Sequence, residues 1–280
     1  MKESDVPIDT RTLFQPLDHL LIDLLKSLKP EDWNSPTVAK AWTVKDVASH
    51  LLDGNLRTLS IQRDRYFGEQ PPTIHSYSDT VAWLNQLNAD WVKATKRLSP
   101  GVLTMLLELT GDCVSVYYAG LDPGSQAIFG VDWAGESQSL NWMHVAREYT
   151  ERWHHQQQIR DAIGDRTILT REYFYPVIDT FFRALPHTFR EVDAPEGTVV
   201  RATVWSEAGG NWYVTKKADG WELSKGAIDR EEAAAVEIPV EISWKLFSKS
   251  WRASDVKEQV KITGDINLAS QVLEMVAVMA

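Results

Sequence analysis

The stretch NWMHVAREYTERWHHQQQIRDAIG, residues 141–164, decides the fold of this 280-residue chain. No proline interrupts it and Gly164 closes it, so it reads as the body of one long helix from roughly Ser137 to Ile163. A helix advances about 100° per residue, so His144, Glu148, Glu151 and His155 fall within about 40° of one line. Such a stripe of ligand-type side chains belongs inside a bundle, where inward-facing residues of different helices meet.

Upstream, the chain keeps the helical period. Leu13, Leu17, Leu20, Leu21, Leu24, Leu25 and Leu28 recur at three- and four-residue steps, predicting an amphipathic first helix ended by Lys29-Pro30. Thr43 is placed to cap a second helix running to about Tyr66, with Asp46 in its favourable first turn. Ser78 or Asp79 opens a third helix, stopped by Ser99-Pro100-Gly101, and GVLTMLLELTGDCVSVYYAG forms a fourth. The glycine-rich LDPGSQAIFGVDWAGE reads as a loop leading into the long helix. Short loops and strong periodicity predict an antiparallel bundle.

After Arg166 the pattern changes. One more helix, REYFYPVIDTFFRAL, precedes the strand-like TVVRATVWS, NWYVTKK and WELSK, with EAGG and KADG as turns. Then come the strand AAVEIPVE, the helix ISWKLFSK, the strand QVKIT, a turn at Gly264-Asp265 and a closing helix LASQVLEMVA. The expectation is two domains: an all-α bundle over residues 1–166 and an α+β domain with an antiparallel sheet over 167–280.

Composition narrows the function. Hydrophobic residues at 44% and charged residues at 24% are those of a globular chain. The net charge of −10, with no dense Lys/Arg run, argues against nucleic acid as a partner. The N-terminus lacks a signal-like apolar region and no apolar run approaches a membrane span, so the cytoplasm is the expected location. A lone cysteine, Cys113, excludes an internal disulfide and a multi-cysteine zinc site, and its expected role is buried packing.

Any metal must therefore rely on histidine and carboxylate. Glu151 and His155 lie one turn apart and can reach one ion. A third ligand must come from elsewhere, and His50, in the apolar context VASHLLDG, is the best candidate. His154 points about 100° away from the stripe, Glu148 is a candidate fourth or outer ligand, and His144 is expected outside the site. Spacing alone leaves a metal site and a solvated helix face on an equal footing.

The segments LKPEDWNSPTVAKAWTVKDVASHLLDG and YTERWHHQQQIRDAIG resemble the mycothiol-dependent maleylpyruvate isomerase family, a branch of the DinB-like metal-binding bundles. In that family a histidine in W-[ST]-V-x-D-V-x-x-H-L and a later E-x-x-x-H pair bind the metal. The resemblance thus implies His50, Glu151 and His155 as ligands of one divalent metal, zinc foremost, with nickel and iron also suited to such a set. Ala41 departs from the glycine usual before the tryptophan. The segment from AAVEIPVEISWKLFSK to the C-terminus resembles the sterol-carrier-like domain that accompanies the bundle.

Three protein ligands leave an open position, the mark of a catalytic site. The resemblance implies a metal-dependent thiol transferase or cis-trans isomerase that takes a low-molecular-weight thiol as co-substrate and acts on a small electrophile. Lys249 and Arg252 are candidates for holding an acidic substrate, against the plainer reading of solvated cations at a helix end. Trp42, Trp142 and Trp153 could line a pocket, although core packing suits them better. The alternative function is a non-catalytic binder of small molecules with a structural or vestigial metal.

Overall fold

The computed structural model describes residues 6–226 and 230–278, so the ends of the two expected domains, residues 1–5 and 279–280, lie outside it. Helix α1 spans Phe14–Ser27 and lays Leu17, Leu21, Leu24 and Leu25 into the core. Helix α2, Val44–Arg57, starts on a reciprocal cap. Thr43 accepts a bond from the Asp46 backbone N–H, and Asp46 Oδ2 accepts one from Thr43 N at 3.1 Å. Beyond Arg57 the helix loosens into a π-type turn over Thr58–Arg63. Thr43→Ala should cost about 1 kcal/mol in urea unfolding, and Thr43→Ser should restore most of it; equal stability of all three would show that the cap is idle.

Helix α3, Tyr77–Thr95, is capped by Ser76, slightly upstream of the expected Ser78 or Asp79. Helix α4, Pro100–Ala119, takes Ser99 as its cap and Pro100 in its first turn. Helix α3 ends at Thr95, just before the expected Ser-Pro-Gly stop, and the same tripeptide opens α4 one residue earlier than expected, since proline lacks only an N–H that the first turn leaves unpaired anyway. Helix α5 spans Asn141–Ala162 and begins four residues later than Ser137, after a short 3₁₀ turn at Asp132–Ala134.

Cross-contacts fix the directions. Phe14 meets Tyr118 and Lys26 pairs with Glu108, so α1 and α4 run antiparallel. His50 meets His155 and Gln62 meets Glu148, so α2 and α5 are antiparallel as well. Phe14 against Tyr149 and the buried Asp18–Arg152 pair, 3.0 Å, set α1 alongside α5 in the same direction. Helix α3 lies outside this four-helix group, tied to α2 by the Trp91 indole donating to Ser49 O at 2.8 Å.

Helices α6 (Arg171–Phe181) and α7 (Leu185–Thr188) lead to strands β1 (Val199–Trp205), β2 (Gly210–Lys217), β3 (Gly220–Lys225) and β4 (Ala234–Pro239). Helices α8 (Val240–Phe247) and α9 (Ala253–Val256), strand β5 (Lys261–Gly264) and helix α10 (Ile266–Leu273) complete the chain. The sheet order is β3-β2-β1-β4-β5. Strand β4 pairs with β1 in parallel, so the sheet is mixed and the all-antiparallel expectation is corrected. Hairpins account for β1-β2-β3, but the chain then returns across the sheet to the far side of β1, and strand periodicity carries no information about direction. Gly264 turns the chain from β5 into α10 with φ 76°; a Cβ there would meet Ala233 O at 2.3 Å.

One apolar cluster runs through both halves: Tyr149 and Trp153 of α5, Phe174 of α6, Val200 and Ala202 of β1, and Trp244 of α8. The sheet domain therefore holds α5, and with it the ligand stripe, from behind. Cys113 is exposed on α4, against the expectation of burial. Helix α4 is also long and apolar enough to cross a membrane by length and composition, with 44% of that window buried, so the expectation that no run approaches such a length is corrected. Both corrections have one cause: α4 carries apolar residues on its outer face as well as its inner one.

Candidate metal centre

The stripe on α5 divides into two groups. At the N-terminal end, His144 Nε2 lies 2.9 Å from Gln62 Oε1, and Gln62 Nε2 donates to Glu148 Oε1 at 3.1 Å. Glu148 also accepts a very short bond from Arg147. This network occupies Glu148 and His144 with structural partners.

Two turns on, Glu151, His154 and His155 each offer a donor atom within 4.8 Å of the others. His155 Nε2 lies 3.6 Å from Glu151 Oε2. His50 arrives from α2 with its ring edge-on to His155, centroids 4.5 Å apart. Its buried Nδ1 has no hydrogen-bond partner. The structure thus sets the His50 ring against the Glu151–His155 pair, while the three donor atoms that lie within 4.8 Å of one another are those of Glu151, His154 and His155 and do not include His50. It also brings in His154, which helical-wheel reasoning set aside: one residue off the stripe, it is still only three from Glu151, close enough for a long side chain.

Gln158 arbitrates between the two adjacent histidines. Its Oε1 lies 3.0 Å from His155 Nδ1, and its Nε2 lies 3.1 Å from His154 Nε2. With the amide so placed, His155 Nδ1 donates to Gln158 and its Nε2 faces Glu151. His154 Nε2 is occupied by the amide, its Nδ1 is buried without a partner, and its ring packs against Trp244 at 5.9 Å. Gln158 was not singled out in the sequence, although its i+3 relation to His155 was there to be used.

Electrostatics suit metal binding. Burial, reinforced by the charge of His155, holds His50 well below the ordinary imidazole range. Burial likewise brings His154 down to about 3 and His144 to about 4. Burial pushes the Glu151 carboxyl up, but the hydrogen bond and charge of His155 outweigh it and hold the group at about 2. Near neutral pH the cluster therefore presents neutral His50 and ionised Glu151, the forms that ligate.

The other expected residues scatter. Trp42 covers the cluster, 4.9 Å from the His50 ring and 6.5 Å from that of His155. Trp153 is core, donating its indole N–H to Ile168 O. Trp142 lies beneath the Arg183 guanidinium, 5.7 Å away. Lys249 and Arg252 are exposed beyond α8; Lys249 has φ 59°, and the Arg252 backbone N–H donates to Asp255 at 2.8 Å. From α8, Lys245 reaches α5, 2.7 Å from Asp161 Oδ1 and stacked over Trp251 at 4.8 Å.

Comparison with known proteins follows this geometry. Residues 14–160 match the family described as the mycothiol maleylpyruvate isomerase N-terminal domain. No curated protein matches the chain. The crystal structure of the mycothiol-dependent maleylpyruvate isomerase is similar in fold, with a TM-score of 0.54 at 12% identity, covering 89% of this chain and 91% of that one. A histidine-to-alanine mutant of that enzyme gives 0.53 with the same identity and coverage. A sterol carrier protein 2 like 2 from Aedes aegypti matches 35% of this chain and 95% of its own at 18% identity, with a TM-score of 0.28 too low to carry an argument.

Proposed function

Because the chain belongs to the mycothiol maleylpyruvate isomerase N-terminal domain family, we propose that it is a metal-dependent enzyme using a low-molecular-weight thiol, of the isomerase or S-transferase type. Its metal ligands in this reading are His50, Glu151 and His155. The observation that carries it is the meeting of His50 from α2, with a buried and unpartnered Nδ1, and the Glu151–His155 pair of α5. Two imidazoles and one carboxylate fit a divalent ion such as zinc, nickel or iron, and three protein ligands leave a position open.

A divalent ion held there supplies positive charge that favours thiolate, the nucleophilic form of a thiol. The chain's own residues do the rest. Gln158 fixes the His155 ring by accepting its Nδ1–H, Trp42 shields the His50–His155 face from water, and the Arg147–Glu148 pair balances charge beside Glu151. Helix α8 is pinned to α5 by Lys245 and Trp244, and the exposed Lys249 and Arg252 at its far end are assigned to the acidic group of an electrophile.

Gln158→Leu, close in volume but unable to orient either histidine, should weaken metal affinity by about 10- to 100-fold in a competitive chelator titration. Unchanged affinity would remove Gln158 from the site. One observation favours the alternative of a non-catalytic binder: the His154 donor already lies within 4.8 Å of Glu151 and His155, and a fourth protein ligand would close the site. The experiment that separates the readings is a screen of mycothiol, bacillithiol, glutathione and coenzyme A against activated alkenes, using metal-loaded protein. Turnover with any thiol supports the enzyme; metal binding without turnover across the panel supports the binder.

A further inference from the structure

Helix α4 presents a second apolar face to solvent. Val102, Met105, Leu109 and Val116 keep 39%, 57%, 66% and 74% of their surface exposed, and Cys113 between them is exposed as well. On a wheel of about 100° per residue the five fall within about 80° of arc, a stripe about 21 Å long. No charged residue of α4 lies within it; the exposed Glu108 and Asp112 flank one side, the half-buried Leu106 and Tyr117 the other, and Arg63 from the neighbouring π-type turn approaches Cys113. The opposite face, with Leu103, Leu107 and Val114, is the one the bundle buries. A solvent face this apolar on a long helix marks an interaction surface rather than scattered exposure.

The spacing of the stripe identifies its occupant. Counted from Leu109, the residues stand at −7, −4, 0, +4 and +7, a pattern that reads the same in both directions. A two-fold interface requires this property, since each residue i must meet a residue j while j meets i. We propose that α4 pairs antiparallel with α4 of a second copy of this chain, about a two-fold axis at Leu109. Val102 then faces the partner's Val116, and Met105 faces the partner's Cys113. The area agrees. Four side chains at these exposures present on the order of 400 Å² of apolar surface. A stable dimer buries about 800 Å² per partner, slightly more than half of it apolar.

The test is sedimentation equilibrium of the full chain combined with thiol cross-linking. The wild-type protein should have twice the chain mass at about 10 μM, and Leu109→Glu, on a side chain largely free of the core, should be monomeric with an unchanged melting temperature. Met105→Cys should give a covalent dimer with oxidised glutathione as oxidant, because the introduced thiol faces the partner's Cys113. Wild type should not, since its two Cys113 thiols stand about 12 Å apart along the helix axes. Met105→Cys combined with Cys113→Ser should lose the cross-link. A wild-type monomer at 100 μM, a dimer indifferent to Leu109→Glu, or failure of the Met105→Cys cross-link would overturn the proposal. A monomer that binds phosphatidylglycerol vesicles through the same stripe would do so in favour of a membrane.

Discussion

Metal-loaded protein should accelerate the addition of its thiol to an activated alkene by at least about 30-fold over chelated protein. The figure comes from ionisation alone. A free thiol with a pKa of about 8.5 is only a few per cent thiolate near pH 7, so complete ionisation gains roughly 30-fold, or about 2 kcal/mol of barrier. Any excess must come from holding the electrophile near the thiol, which gives α8 and its neighbours a task. Charge reversal at Lys249 and Arg252 should then raise KM for an acidic electrophile and leave KM for a neutral one in place. Progress curves with and without chelator supply the comparison; equal rates would mean that the bound metal takes no part in the reaction.

The metal-free protein should lose about 3 kcal/mol of stability between pH 7 and pH 5.5. Half-buried His50 and buried His144 and His154 have folded-state pKa values well below 6.5, at about 4 and about 3 for the latter two. The unfolded chain takes up protons near 6.5 while the folded chain does not, so stability is fully present above 6.5 and is lost as pH falls. Each histidine contributes a little over ~1 kcal/mol across this interval. Asp18 acts in the opposite direction: burial, only partly offset by Arg152, raises it to about 6, so the folded state gains a proton first. That returns about 1 kcal/mol on acidification. Glu151, held at about 2, adds a further loss only as pH approaches 4.5. Urea unfolding of chelated protein at the two pH values measures the difference. A flat profile would show that these imidazoles are solvated rather than buried.

Much of the bundle is legible in the sequence because each signal there is local. Thr43 and Asp46 specify a helix start within four residues, and the leucine spacing of α1 specifies its buried face. Glu151 and His155 are legible for the same reason, being one turn apart. His50 is legible as a position but not as a neighbour: only packing brings α2 against α5, and the resemblance to a family supplied that step. What is not legible depends on tertiary choice. The direction of β4 follows from where the chain re-enters the sheet. The exposure of Cys113 follows from which of two apolar faces of α4 turns inward, and composition favours neither. The side chain of His154 points away from the stripe by its angle on the helix, yet Gln158 and Trp244 hold it against the site.

That last residue offers the most direct test of the ligand set. Two triads contain Glu151 and His155; one is completed by His50 from α2, the other by His154 from α5 itself. Elemental analysis after purification with added metal, followed by competition with a chromophoric chelator, separates them. Wild type should carry about one divalent ion per chain. His50→Ala and His155→Ala should carry almost none, while His154→Ala should keep the ion with affinity within about 10-fold, because His154 already gives its Nε2 to the Gln158 amide. Loss of the metal in His154→Ala together with full occupancy in His50→Ala would contradict the account.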